Sequence, residues 1–183
     1  MANFLRFIPL LLILCSAPPL VAQDAALTLK PLNQRGVVRL KTIASDFAAN
    51  GPAAIAKYSG RRITVIGRIA RFSQGEGENI ILVVSLKDAA SSLPAVKCKF
   101  LPGTLPEHSE IQISQDGSNA TLIRRDSRGI ILSQNTYLSA DELVAIKGDY
   151  KGLNVGDIVF TNCKILPKER LHELRDDLKK DQG

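Results

Sequence analysis

The strongest constraint on the fold is a change in the spacing of apolar residues at Gly60. Before Gly60 they follow a helical spacing, and after it they recur at every second position, as in a strand with one buried face. Residues 80–86 (IILVVSL) are a short apolar run rich in β-branched side chains, which is typical of a buried strand. The spacing therefore predicts a mainly β protein. The five strand-like segments are 63–70, 80–86, 95–101, 142–148 and 157–165.

Helical patterns lie on both sides of the strand-like region. Apolar residues at helical spacing predict an N-terminal helical segment over 40–58, interrupted by the helix-stopping sequence Asn50–Gly51–Pro52. At the other end, residues 167–183 are predicted to form an amphipathic helix with a narrow apolar stripe. We expect this stripe to pack shallowly against the strands. It consists of Leu171, Leu174 and Leu178.

The central region 102–138 does not continue the strand pattern in a simple way. Residues 110–114 and 120–125 flank the turn sequence QDGSN, which predicts an inserted β-ribbon. In the first strand, Gly67 is expected to mark a bulge or a bend. We therefore predict one barrel-forming domain over 40–166 with an insertion at 102–138, preceded by a tether over 23–39 that ends in a short extended piece.

The first 22 residues have the layout of a secretory signal peptide. A single positive charge at Arg6 precedes the apolar run 7–14, and small residues and prolines lead to Ala22. The uncharged stretch 7–22 is shorter than the roughly 20 apolar residues that a membrane-spanning helix needs. We therefore expect cleavage after Ala22, export to the periplasm or the medium, and no transmembrane segment in the mature chain. The alternatives are a retained anchor and lipid attachment at Cys15, which the large residue before that cysteine disfavours.

Motifs spread over several elements resemble one protein family. They follow the patterns N-x(3)-A-x(3)-Y-x-G-[KR]-x-[IV]-x-V-x-G-x-[IV], V-x-C-x-F, I-x-G and [ND]-C. The matching residues are Asn50, Ala54, Tyr58, Gly60, Arg61, Ile63, Val65, Gly67, Ile69, Val96, Cys98, Phe100, Ile146, Gly148, Gly156, Asn162 and Cys163. The family is the tRNA-anticodon-binding-like (tRNA_anti-like) group of exported bacterial OB-fold proteins, and the resemblance covers about residues 41–165.

This resemblance implies a five-stranded OB-type Greek-key barrel. With the patterns above, the expected fold class is mainly β: that barrel, an N-terminal helical segment, an inserted β-ribbon and a C-terminal helix. The region 102–138 departs from the family, which has a shorter and more helical connection there. The family name records a comparison of folds and implies no tRNA function.

Two cysteines, Cys98 and Cys163, remain after the predicted cleavage. In an oxidising compartment an even pair favours one disulfide, and the alternative is two buried thiols. The resemblance places them on the third and fifth strands, which are neighbours in an OB barrel, and about 4.8 Å between strands is compatible with a disulfide. The apolar residues around both cysteines predict that both point inward.

No catalytic signature is present in the sequence, so we expect no enzymatic activity. His108 and His172 have no further metal-binding residue beside them, and a solvated surface position is the better interpretation for each. We expect no metal and no cofactor.

The remaining functional signal is a basic balance, with 24 Lys and Arg against 18 Asp and Glu. Strand alternation predicts that two phenylalanines, Phe72 and Phe160, point outward together with several cations. OB barrels bind oligonucleotides or oligosaccharides on their second and third strands. The candidate ligand-binding residues are Arg68, Lys97, Lys99, Phe160 and Lys164.

Three functions remain open at this stage. The first is a non-enzymatic exported binding or interaction module of unspecified ligand, on which the basic residues are only a solvated surface. The alternative is a module that binds an oligoanion, either single-stranded nucleic acid or acidic glycan. The third is a module that presents the ribbon 110–125 or the C-terminal helix to a protein partner.

Overall fold

The computed structural model describes residues 29–75, 80–87, 93–105 and 108–180, and for 177–180 the backbone only. The predicted signal segment 1–22 with Cys15, and residues 23–28 of the predicted tether, lie outside the described residues. In chain order the elements are β1 (Val37–Arg39), α1 (Leu40–Ala49), α2 (Gly51–Tyr58), β2 (Arg62–Ser73), β3 (Leu82–Leu86), β4 (Val96–Phe100), a single turn of 3₁₀ helix (Pro102–Thr104), β5 (Ser109–Ile113), β6 (Asn119–Arg125), β7 (Ile131–Ser139), β8 (Leu143–Asn154), β9 (Asp157–Ile165) and α3 (Lys168–Lys180).

Five strands close into a barrel in the order β2-β3-β4-β9-β8, and β8 pairs back onto β2. All neighbours are antiparallel except β4 and β9, which run parallel. This is the Greek-key order of the OB fold, with the third and fifth barrel strands adjacent. The predicted fold class is therefore confirmed. The end of the predicted tether forms β1, a short strand parallel to the first half of β2.

Two helices at the N-terminal end pack their apolar faces against the barrel. In α1 the buried residues include Ile43 and Phe47, and in α2 Ala54 and Tyr58 are fully buried. Asn50 separates the helices and caps the second, because its side-chain oxygen accepts the Ala53 N–H at 3.1 Å. The interruption predicted at Asn50 is thus a helix N-cap.

Gly67 of β2 lies beside Leu40, the first residue of α1. A Cβ at this position would stand 3.0 Å from the Leu40 Cβ, so the glycine allows the helix to contact the strand. The expected irregularity in β2 lies further along, between Ile69 and Arg71.

The insertion is a three-stranded antiparallel sheet in the order β5-β6-β7. The ribbon predicted from 110–125 accounts for β5 and β6, and β7 was not predicted. Most of β7 is solvent-exposed and its middle, Gln134–Thr136, is polar, so it carries little of the alternation that identifies a strand. One face of the sheet buries Ala120 and Leu138 in the same core as the barrel.

The C-terminal helix α3 packs against the outside of the barrel. Leu174 is 7% exposed and lies in a small cluster with Val37, Ile66 and Ala145, while Leu171 is half-buried beside it. The side chain of Leu178 lies outside the described residues. Within the part of the chain that is described, no helix is long and apolar enough to span a membrane.

Two irregularities in strand pairing decide which residues face the core. The β2–β3 register shifts between Ile69 and Arg71, and the β8–β9 register shifts at Asn162, which adopts φ +51°. The alternation of side chains on one side of each shift is therefore opposite to that on the other side, and Phe160 does not share the outward direction of Lys164. Phe72 and Phe160 are therefore 3% and 1% exposed in the core, and the prediction that they point outward is wrong.

Candidate functional site

The outer face of β3 and β4 brings cations together in two rows of paired residues. In one row Arg71 of β2 is opposite Ser85 of β3, which is opposite Lys97 of β4. In the next row Ser73 is opposite Val83, and Val83 is opposite Lys99. We call this surface the β3–β4 face; its cations are Arg71, Lys97 and Lys99.

The β3–β4 face has a net positive charge over its described residues. The Lys97 ammonium lies 2.7 Å from a carboxylate oxygen of Asp157, and the Lys97 side chain remains 36% exposed. Arg71 is exposed and Lys99 is half-buried. Between them Val83 and Ser85 are 7% and 6% exposed, although both point away from the core. The cations therefore surround a largely covered centre formed by β3.

Two of the predicted cations lie elsewhere on the barrel. Arg68 is in register with Leu143 of β8, and its guanidinium donates to the Asp141 carbonyl oxygen at 2.6 Å. Lys164 of β9 is directly opposite Lys147 of β8, two strands away from β3. The structure therefore groups Lys97 and Lys99 and separates Arg68 and Lys164 from them, while Phe160 lies in the core.

Arg71 is the residue of this face that the sequence analysis missed. Regular alternation from Ile63 to Ile69 would place it inward, but the register shift turns Arg71 outward and Phe72 inward. The available signal was the separation of Ile69 and Phe72 by three positions, since an odd separation of two core residues in a strand indicates an extra residue.

Cys98 and Cys163 lie beside each other inside the barrel, 1% and 0% exposed. Both are free thiols in the structure. A hydrogen bond with Cys163 and complete burial raise the pKa of the Cys98 thiol well above its ordinary value. The prediction that both cysteines point inward agrees with these positions, and the disulfide between them stays a prediction. Because both side chains are buried, we interpret the two cysteines as part of the core.

A partly buried polar group connects α1 and α2. Asp46 accepts from the Lys57 ammonium at 2.6 Å and from the Tyr58 hydroxyl at 2.5 Å. Burial, followed by the bond to Asp46, raises the pKa of Tyr58 far above its ordinary value. Tyr58 also contacts Phe47 and Tyr150, with ring centroids 5.8 and 6.3 Å away. Through Tyr58 this group joins α1 and α2 to the barrel.

Neither histidine belongs to a cluster of metal ligands. His108 is an exposed turn residue and His172 is an exposed residue of α3. Among the described residues there is no group of three or more His, Cys, Asp or Glu side chains that could hold a metal ion.

The closed barrel with adjacent third and fifth strands defines a protein of the OB-fold class. The model of the tRNA_anti-like family matches residues 16–165, and the chain belongs to that family. No curated protein matches the sequence. A similar solved structure is that of a lipoprotein from Klebsiella pneumoniae, named as a candidate nucleic acid-binding protein. It is 14% identical with a TM-score of 0.47, and the match covers 79% of this chain and 98% of that chain.

Proposed function

We propose that the protein is a non-enzymatic exported module that binds an oligoanion on the β3–β4 face. The observation that carries this proposal is the pairing register that places Arg71, Lys97 and Lys99 on one surface. That surface corresponds to the second and third barrel strands, the strands on which OB barrels bind oligonucleotides and oligosaccharides. Export is proposed from the signal-like layout of residues 1–22.

The composition of the face favours recognition of charge over stacking on bases. Phe72 and Phe160, the two aromatic side chains expected on the outside, are both in the core. Within the described residues of the face, the groups that can contact a ligand are the three cations and the exposed Ser73 hydroxyl. Cations hold phosphates or carboxylates without reading bases, so the proposed ligand is a single-stranded nucleic acid backbone or an acidic glycan.

The test is a titration of a labelled single-stranded oligonucleotide and of an acidic oligosaccharide at several salt concentrations. Wild-type affinity is expected to fall with salt because binding releases counterions. In the Lys97→Gln/Lys99→Gln variant, oligonucleotide affinity should fall, and the salt slope should decrease by about 0.7 for each lost phosphate contact. Arg71→Gln should act in the same direction.

The matched control is Lys147→Gln/Lys164→Gln, which removes the same number of charges from two other strands. This control is expected to keep most of the affinity, because its lysines lie off the β3–β4 face. Equal losses in both double variants would show that only net charge matters and would contradict the proposed site. Absence of binding to either polymer below millimolar concentration would contradict the proposed function.

A further inference from the structure

The turn between β6 and β7 exposes a run of large aliphatic side chains. Ile130, Ile131 and Leu132 are 55%, 49% and 65% exposed. Every residue from 127 to 132 is exposed, at the end of a hairpin. Ile131 also lines an open pocket with Ile111 and Ile123, whereas Ile130 and Leu132 lie outside that pocket. We call residues 126–132 the apolar tip. A contiguous patch of exposed aliphatic side chains on a protein surface marks an interaction site.

The apolar tip is held in one conformation by its own hydrogen bonds. A single carboxylate oxygen of Asp126 accepts the backbone N–H groups of Arg128 at 2.9 Å and Ile130 at 2.8 Å. The Arg125 guanidinium bonds to the Gly129 carbonyl oxygen at 3.1 Å and to Glu110 at 2.7 Å. The aliphatic side chains are therefore presented by an ordered turn.

Cations border the apolar side chains. Arg124 is exposed, and the Arg128 side chain is 79% exposed. Of the two nearby acids, Asp126 is only 22% exposed, since its carboxylate is directed to the backbone of the turn. Glu110 is 52% exposed, and its carboxylate is paired with the Arg125 guanidinium at 2.7 Å. The tip and the adjoining Arg124 thus combine exposed aliphatic carbon with two exposed guanidinium groups.

We propose that the apolar tip binds the surface of a membrane that contains anionic phospholipids. Aliphatic side chains at a projecting end can enter the boundary between headgroups and acyl chains, while neighbouring arginines meet lipid phosphates. Addition of another strand along β7 is a poorer fit, because the β6–β7 register shifts at both ends of β7 and its edge is irregular there. The charge of the tip selects anionic over neutral lipid.

The experiment is sedimentation of the full chain with phosphatidylglycerol-containing vesicles and, in parallel, with pure phosphatidylcholine vesicles. Wild-type protein should bind the anionic vesicles at low salt and lose affinity as salt rises. For Ile130→Ser/Leu132→Ser, the lipid concentration at which half of the protein is bound should rise at least tenfold. Arg124→Gln/Arg128→Gln should weaken binding about fivefold for each cation removed.

The matched control is Leu153→Ser/Val155→Ser, which removes two other exposed aliphatic side chains, 47% and 96% exposed, at the β8–β9 turn. It is expected to bind as wild type does, and any contribution of the apolar residues 7–14 is the same in all variants. Equal binding by wild type and the tip variant, or an equal loss in the control, would overturn the proposal. So would a wild-type dimer that the tip variant abolishes, because the partner would then be a second copy of the chain.

Discussion

At the scale of single residues, the I-x-G and N-C motifs supply two residues that contact each other, Gly148 and Cys163. Asn162 adopts φ +51° at the register shift, and its amide donates to the Asp149 carboxylate at 3.0 Å. This places Cys163 inside the barrel, where its sulfur occupies the space beside Gly148. Asparagine tolerates the left-handed backbone better than most residues, and glycine leaves room for the thiol. Packing and backbone conformation therefore explain Gly148, Asn162 and Cys163 of these motifs.

Gly148→Ala is expected to destabilise the fold. The added Cβ would lie 2.7 Å from the Cys163 sulfur and 3.3 Å from the Phe160 Cβ, inside a closed barrel. Overpacking of this kind costs about 1–3 kcal/mol in the free energy of unfolding, which chemical denaturation measures. Cys163→Ala in the same chain should recover part of that loss, since it removes the sulfur. Gly51→Ala is the control, because a Cβ there meets nothing within 4 Å; a similar loss in the control would contradict this explanation.

On the proposed export, Cys98 and Cys163 are predicted to form a disulfide in the mature protein. Two adjacent thiols in an oxidising compartment favour formation of a disulfide. This bridge would close a loop of about 65 residues. On the chain-entropy model it adds about 4 kcal/mol to the free energy of unfolding, less any strain. Intact mass after alkylation of the denatured, unreduced protein should show neither cysteine modified and a mass lower by two hydrogens.

Reduction provides a second measurement of the same pair. Burial and the bond to Cys163 raise the folded-state pKa of Cys98, so the folded state keeps its proton where the unfolded chain has lost it. The reduced protein should therefore lose stability as pH rises above about 8.5, the ordinary thiol pKa. The oxidised protein lacks this titration. Two alkylated cysteines in the unreduced sample would rule out the bridge. Identical pH profiles of the reduced and oxidised proteins would instead contradict the raised pKa of Cys98.

At the scale of secondary structure elements, the sequence predicted the type and order of the five barrel strands and the three helices. Apolar spacing determines those features, and it is visible without tertiary contacts. The predicted direction was wrong for particular side chains beyond Ile69 and around Asn162. The reason is that the register shifts there arise from pairing with β3 and β8, which apolar spacing does not reveal. These register shifts explain why Arg71 belongs to the candidate site and why Phe160 does not.

Docking of α3 is expected to depend on Leu174. Its side chain is 7% exposed against Val37, Ile66 and Ala145, so Leu174→Ala should lower the free energy of unfolding by about 2 kcal/mol. His172→Ala, on the exposed side of the helix, should change it by less than about 0.5 kcal/mol. Thermal and urea unfolding measure both. An unchanged midpoint for Leu174→Ala would mean that the helix is undocked in solution.

At the scale of the whole molecule, one apolar core joins parts of the chain that the sequence separates. It includes Phe47 and Tyr58 from the helices, Val84 and Phe160 from the barrel, and Leu138 from the inserted sheet. Main-chain bonds also cross this boundary: the Phe72 N–H donates to the Gly117 carbonyl oxygen at 2.8 Å. The inserted sheet therefore contributes to the same core as the barrel. Residues 102–138 interrupt the barrel strands along the sequence but not in the folded structure.

If the insertion and the barrel share one core, a cavity in one should weaken both. Leu138→Ala removes a side chain that is 5% exposed and should cost about 2–3 kcal/mol. Because small domains unfold as a unit, hydrogen exchange of the slowest amides in β4 and β8 should accelerate by the same factor as in β6. Leu132→Ala, a 65% exposed leucine of the same strand, should leave both rates unchanged. Faster exchange confined to β5, β6 and β7 would instead show that the inserted sheet opens independently of a barrel that stays closed.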